Sequence, residues 1–319
     1  MNNYIDVRLF KFERVIIINK FNNFIILETQ NMGQELIRIN SIDGIEQPGI
    51  LYTPNENTEK IVVHVHGLNG NFYENKFLDI LAKCYTDKNY AFLTFNNRGT
   101  GFITELLKGK DFVVIGGSLE RFKDCLLDIE GVINWVKSKN YKEIILEGHS
   151  YGCNKILYYY NHKRDNSIKQ IVLLSPCDIP SECKKFLSEE EYKKAKEESI
   201  ELIKEDKENA LIDFPAMTNG KIAAGTFYND FLPDGENDFI RYREWIDSRN
   251  KILNSIDIPT LVIFWSADEC VLTQPIEVVT EYLRNNLKNC DIQIISGANH
   301  LYTGKYEELS NIIRHDIQC

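Results

Sequence analysis

The sequence predicts an α/β architecture: a mostly parallel sheet flanked by helices, with a segment inserted after the sixth strand and extra strands at the N-terminal side. Three observations predict it. Between about residues 60 and 175, short runs rich in Val, Ile and Phe alternate with longer stretches of helical period. Each run ends in a Gly, Asn, Ser or Pro cluster, as strands that exit into loops do. The chain has 319 residues, 43% of them hydrophobic and 26% charged, which suffices for one large core carrying an insertion.

Strands are expected at residues 60–65, 91–95, 143–146 and 170–174, and again at 260–264 and 291–295. Helices fit between them. Residues 75–85 carry Phe77, Ile80, Leu81 and Cys84 at helical spacing, and residues 119–138 carry Phe122, Leu126, Ile129, Ile133 and Val136. A third helix should start near Asn154, a fourth should span 276–287 and a last one should begin near Glu307. Such strand–helix alternation favours parallel pairing with helices on both faces. Before residue 55, the runs ERVIIINK, NFIILET and QELIRIN predict two or three antiparallel strands that lead into Gly49-Ile-Leu-Tyr52 and extend one sheet edge.

The alternation breaks after Pro176 and resumes at about residue 256. The chain is therefore divided into a core of residues 1–176 and 256–319 and a partly helical inserted cap at 177–255. Within the insertion, Ser188-Glu-Glu-Glu191 has the form of a capping box, and the Glu- and Lys-rich run up to residue 208 reads as a solvated helix face. Seven aromatics, Phe214, Phe227, Tyr228, Phe231, Phe239, Tyr242 and Trp245, crowd a stretch without strand period.

Charge and cysteine usage narrow the function classes. With 37 Lys and Arg against 47 Asp and Glu, the formal charge of −10 repels phosphate backbones and anionic membranes, so neither nucleic acid nor membrane is an expected partner. The eight cysteines show no CxxC pair and no metal-type spacing against the six histidines. Reduced thiols and the lack of a signal-type or membrane-spanning apolar run lead to the expectation of a cytoplasmic protein without a metal site.

Gly148-His149-Ser150-Tyr151-Gly152 follows the run KEIILE and precedes a helical pattern. Flanking glycines there permit a sharp strand-to-helix turn that lifts a serine hydroxyl above the sheet. His66-Gly67-Leu68-Asn69-Gly70 ends the strand KIVVHV; the backbone N–H groups of Leu68 and Tyr151 are the expected oxyanion donors. His66 reads as a turn-stabilising residue and His64 as a core histidine. A serine nucleophile needs a base held in the right tautomer by a carboxylate. Asp268 leaves the strand TLVIFW through Ser-Ala-Asp, and His300 leaves DIQIIS through Gly297-Ala-Asn299. Glu269 is the rival acid. His315, expected to be buried in the last helix, is a poor base. Arg98, in Asn97-Arg98-Gly99-Thr100-Gly101, is read as pinning neighbouring loops, and Asp128 and Cys153 as packing or capping residues.

Taken in order, HGLNG, NNRGTG, GHSYG, SAD and ANH resemble the α/β-hydrolase superfamily over about residues 40–319. The resemblance implies the chain order Ser150, Asp268, His300 for a catalytic triad, and ester cleavage with no metal or organic cofactor. HGLNGNFYEN and AAGTFYNDFLPDGENDFIRY look similar to intracellular hydrolases that include fungal siderophore-ester hydrolases. One departure is Trp265, where most relatives have glycine; an indole there would narrow an acyl pocket.

The leading expectation is a carboxylic-ester hydrolase acting on a small or medium-sized substrate through an acyl-enzyme, with Asn69, Phe227, Tyr228 and Phe231 as substrate-binding candidates. Thioesterase, amidase or peptidase, and acyltransferase would use the same triad. A non-catalytic small-molecule receptor on the same fold is the rival of another class.

Overall fold

Runs of Val, Ile and Leu with side chains covered on both faces become the middle of an eight-stranded sheet, as expected where helices pack above and below. The computed structural model describes residues 32–217, 219–242, 250–266 and 274–317, together with the backbone of 15–18 and 24–27. Numbering only the strands of this sheet, they are β1 (Gly33–Asn40), β2 (Glu46–Thr53), β3 (Lys60–Val65), β4 (Ala91–Phe95), β5 (Glu143–His149), β6 (Ile168–Leu174), β7 (Thr260–Trp265) and β8 (Cys290–Ile295). Their spatial order is β8-β7-β6-β5-β3-β4-β2-β1. From β8 to β4 all pairs are parallel, and β4–β2 and β2–β1 are antiparallel.

The helices are α1 (Phe77–Asp87), α2 (Cys125–Ser138), α3 (Tyr151–Lys163), α4 (Ile179–Phe186), α5 (Glu189–Lys204), α6 (Ala224–Phe231), α7 (Lys251–Ser255), α8 (Ile276–Asn286) and α9 (Tyr306–Asp316). Because strand side chains alternate, Val62, Phe92, Ile145, Val172 and Ile263 meet α1 and α9 on one face. Ile61, Val63, Leu93, Leu146, Leu173 and Val262 meet α2 and α3 on the other. No helix among the described residues is long and apolar enough to cross a membrane.

Between β6 and β7 the chain leaves the sheet and forms α4, α5, a small hairpin (Leu211–Asp213 with Lys221–Ala223), α6 and α7. The capping box at the start of α5 is present: the Ser188 hydroxyl accepts from the Glu191 amide at 3.2 Å, and the Glu191 carboxylate accepts from the Ser188 amide at 2.8 Å. Polar contacts join this segment to the sheet layer. Arg121 donates to the Thr226 hydroxyl at 2.9 Å, Asn154 to Asn237 Oδ1 at 2.9 Å, and the Tyr242 hydroxyl to the Pro176 carbonyl at 2.8 Å.

Two expectations about elements are corrected. Of the three N-terminal runs, only QELIRIN joins the main sheet, as β1; residues 15–18 and 24–27 pair with each other in a separate hairpin. The second helix begins at Cys125, not at residue 119, because the Leu119 and Glu120 amides both bond the Gly116 carbonyl in a turn that carries Glu120 inward. A hairpin of Thr104–Lys108 and Asp111–Ile115, turning at Gly109 with φ 65°, was not expected at all.

Candidate active site

β5 ends at His149 and α3 starts at Tyr151, so one residue makes the whole turn: Ser150, with φ 55° and ψ −127°. The surrounding glycines are explained by the space they leave. A Cβ on Gly148 would stand 2.6 Å from the Gly152 carbonyl carbon, one on Gly152 would drive into the Val65 carbonyl oxygen, and one on Gly67 would stand 2.9 Å from the Ser150 Cβ. The loop after β3 is therefore packed directly on the serine. The Ser150 amide donates to the Leu174 carbonyl at 2.8 Å, which ties the turn to the end of β6.

Among the described residues, the partner of the Ser150 hydroxyl is Cys177 Sγ at 3.4 Å. Cys177 is fully buried in the loop after β6 and receives a hydrogen bond on its carbonyl from Asn154 at 3.1 Å. His300 is linked to the residue before Ser150: the His149 ring lies 4.8 Å from the His300 ring, and His149 Nε2 is 3.0 Å from the His300 carbonyl oxygen. Asp268 and its rival Glu269 lie outside the described residues, as does Trp245. Ser266, two residues before Asp268, is bonded to the β8 end: its amide donates to Ile295 at 3.1 Å and its hydroxyl accepts from Gly297 at 3.2 Å.

The two expected oxyanion donors flank Ser150. Tyr151 is its successor at the N-terminus of α3, where unbonded amides and the helix dipole favour negative charge. Leu68 follows Gly67. Burial, then the Lys155 ammonium, push His66 down to about 3, so its ring is neutral. Its Nε2 accepts from the Asn97 amide at 3.2 Å, which leaves Nδ1 to donate to the Gly67 carbonyl at 2.8 Å. His66 thus stabilises its turn as read. His64 is a core residue on the far face, bonded to Glu147 at 2.6 Å.

Arg98 pins loops. Its side chain donates to Asp128 at 2.9 and 3.0 Å, to Asp43 at 2.9 Å and to Asp124 at 3.2 Å. Asp128 is therefore the buried counter-ion of Arg98, a sharper role than packing. Cys153 packs under the elbow with its thiol on the Gly148 carbonyl. His315 is exposed on α9, contrary to the expected burial, because Leu309 and Ile313 take the inner face.

The substrate-binding candidates separate. Asn69, at φ 57°, directs Nδ2 to Met217 Sδ of the insertion at 3.5 Å and so stands where the insertion meets the Ser150 side of the sheet. Phe227 and Phe231, four residues apart on α6, face the same way and join Phe214, with ring centroids 5.0–6.0 Å apart. Phe227 has no exposed surface, whereas Tyr228, on the other side of α6, is 39% exposed. Trp265 does not narrow a pocket over Ser150: its indole is fully buried on the α1/α9 side of the sheet, edge-on to Tyr302.

A buried polar seam between sheet layer and insertion was not anticipated. Lys155 donates to Glu120 at 2.7 Å and to Asn97 at 3.1 Å, and its ammonium lies 4.8 Å from the centre of the Tyr151 ring. Asp230 of α6 is fully buried near the Tyr151 phenol, and no described cation forms an ion pair with it. Burial, then the Glu120 carboxylate, raise its carboxyl well above the ordinary range. Glu120 and Lys155 sit 35 positions apart, so only the fold reveals the pair. Charged residues at inward positions of otherwise apolar patterns were the available signal.

No curated protein matches the chain. Among solved structures, Est1E from Butyrivibrio proteoclasticus with ferulic acid bound is 19% identical and superposes with a TM-score of 0.62, over 88% of this chain and 96% of that one. The Pyrococcus furiosus esterase Pf2001 is 15% identical, with a TM-score of 0.56 over 89% of this chain and 90% of its own. The α/β hydrolase GrgF from Penicillium sp. sh18 is 16% identical, with a TM-score of 0.61 over 88% and 96%. The fold is thus that of the α/β hydrolases, and since the model of the family described as "Protein of unknown function (DUF1749)" matches residues 51–317, the chain belongs to that family.

Proposed function

We propose that the chain is a serine hydrolase that cleaves a carboxylic ester of a small or medium-sized substrate through an acyl-enzyme intermediate. The observation that carries this reading is the strained elbow at Ser150, packed against Gly67 and opening α3. Such strain persists where the surroundings impose it, and here it presents one hydroxyl to the loops after β3 and β6. Likeness to esterases of the same fold supports ester chemistry.

In this reading Ser150 Oγ attacks the ester carbonyl as His300 takes its proton, with Asp268 orienting the imidazole. The Leu68 and Tyr151 amides hold the oxyanion. His300 returns the proton to the departing alcohol, and water then repeats the sequence to release the acid. Residues 177–255 act as the cap, with Asn69 and Tyr228 at the substrate and Phe227 and Phe231 supporting them from the cap interior. Every step uses protein groups, so chelation should leave turnover unchanged; loss on EDTA treatment, restored by a divalent ion, would overturn the metal-free mechanism. A cytoplasmic, reducing location is proposed from the scattered cysteine usage of the sequence.

Fluorophosphonate labelling tests the assignment. Ser150→Ala should abolish labelling and lower ester turnover by about three orders of magnitude or more while the fold survives. Labelling at the wild-type level in the folded variant would place the nucleophile elsewhere.

A further inference from the structure

We infer that His149, the residue before the proposed nucleophile, is a positioning residue that holds the His300 loop at Ser150 by a hydrogen bond to the His300 backbone. The inference rests on the proposed roles of Ser150 and His300.

His149 ends β5 and is 3% exposed, with its ring boxed between Phe77 at 4.9 Å, His300 at 4.8 Å and Tyr302 at 5.9 Å. Phe77 and Tyr302 themselves meet at 5.1 Å, which closes the box. A carbonyl oxygen can only accept, so the 3.0 Å contact to His300 requires the proton on His149 Nε2. Burial, then the neighbouring His300, hold the His149 ring neutral, so it carries one proton and that proton is committed. A neutral neighbour also spares His300 a like charge when it accepts the proton of Ser150.

The loop that carries His300 is also tied on either side of that residue. Upstream, the Gly297 amide reaches the Ser266 hydroxyl; downstream, Asn299 Oδ1 accepts from Leu301 at 3.2 Å and Thr303 at 3.0 Å, bonds internal to the loop. Both Gly297 and Tyr302 have positive φ, 72° and 63°, so the backbone turns sharply on each side of His300. The bond from His149 fixes the His300 peptide directly to the strand that carries the nucleophile. Ser150 is covalently next to the donor and His300 is the acceptor residue. This bond therefore contributes directly to the relative placement of nucleophile and base, and an error of about 1 Å in such placement can cost about 100-fold in rate.

Two variants separate the hydrogen bond from the packing. His149→Phe keeps a ring in the box and removes the donor; His149→Gln places an amide N–H near the position of Nε2. Three measurements are made on each folded protein: kcat and KM for a p-nitrophenyl ester across pH, the rate of fluorophosphonate labelling, and the carbonyl carbon-13 resonance of His300. The expected result for His149→Phe is a 10- to 100-fold fall in kcat and labelling rate. KM should stay within about twofold, the acid limb of the pH profile should move, and the His300 carbonyl resonance should shift upfield. His149→Gln should restore kcat to within about threefold of wild type, with the pH profile and resonance near their original positions. The inference is overturned if His149→Phe leaves kcat, pH profile and resonance unchanged, or if both variants lose activity equally. The resonance is read without turnover, so it judges the hydrogen bond even if Ser150→Ala shows that the nucleophile lies elsewhere.

Discussion

Replacing Ser150 by glycine should make the protein more stable while removing its proposed chemistry. At φ 55° and ψ −127° the residue occupies the mirror image of an ordinary extended conformation, which glycine adopts freely and an L side chain does not. Strain of this kind costs about 1–3 kcal/mol, and glycine gives back roughly 0.4–1 kcal/mol through the greater freedom of the unfolded chain. The net gain is about 0.5–2 kcal/mol, or roughly 1–5 °C in Tm. Ser150→Ala is the control, because it keeps the strained Cβ and loses only the 3.4 Å contact of the hydroxyl with Cys177 Sγ. Its stability should stay within about 0.5 kcal/mol of wild type. Thermal melts and urea unfolding of the three proteins decide the matter. A glycine variant no more stable than the alanine variant would refute the claim that the elbow stores strain.

Three further outcomes are expected. The folded-state pKa of Asp230 lies above its unfolded value, so the folded protein keeps a proton that the unfolded chain releases, and stability falls as pH rises above about 4, by up to about 1.4 kcal/mol per pH unit. Asp230→Asn should flatten that decline, raising Tm more at pH 8 than at pH 5. Arg98→Ala leaves the Asp128 carboxylate buried without its partner and should cost about 3–5 kcal/mol in urea unfolding. Phe227→Ala opens the aromatic cluster of the insertion and should cost about 3–5 kcal/mol, whereas Tyr228→Ala should change stability by less than about 0.5 kcal/mol; equal losses in melts would contradict their placement on opposite sides of α6.

The central strands were legible because each buries both faces: KIVVHV and AFLTF carry no polar alternation to confuse their ends, and both match the observed β3 and β4. The edge was harder to read. ERVIIINK and NFIILET have strand character, but composition does not say whether a strand pairs with the sheet or with its neighbour. GHSYG located Ser150 because the turn itself dictates its glycines. The contacts that organise the surroundings were invisible, since they join residues far apart in the chain: His149 with His300 across 151 positions, Lys155 with Glu120 across 35, and Asn69 with Met217 across 148. Trp265 shows the converse failure. Its strand was expected, but which face its side chain would take depends on register, and the register turned it away from the serine.

β6 and β7 pair in parallel register although residues 175–259 separate them, and among the described residues no strand of that excursion enters the main sheet. Closing a connection of about eighty residues instead of ten is three doublings of length, only about 2 kcal/mol of chain entropy. The excursion can therefore be lengthened, shortened or replaced over generations with little penalty to the sheet, provided that a few docking points such as Arg121 and Asn154 still find partners. On the proposed function, chemistry and selectivity would be carried on stretches of chain that can evolve at different rates: an elbow whose glycines leave no room for a side chain, and an insertion that is free to drift.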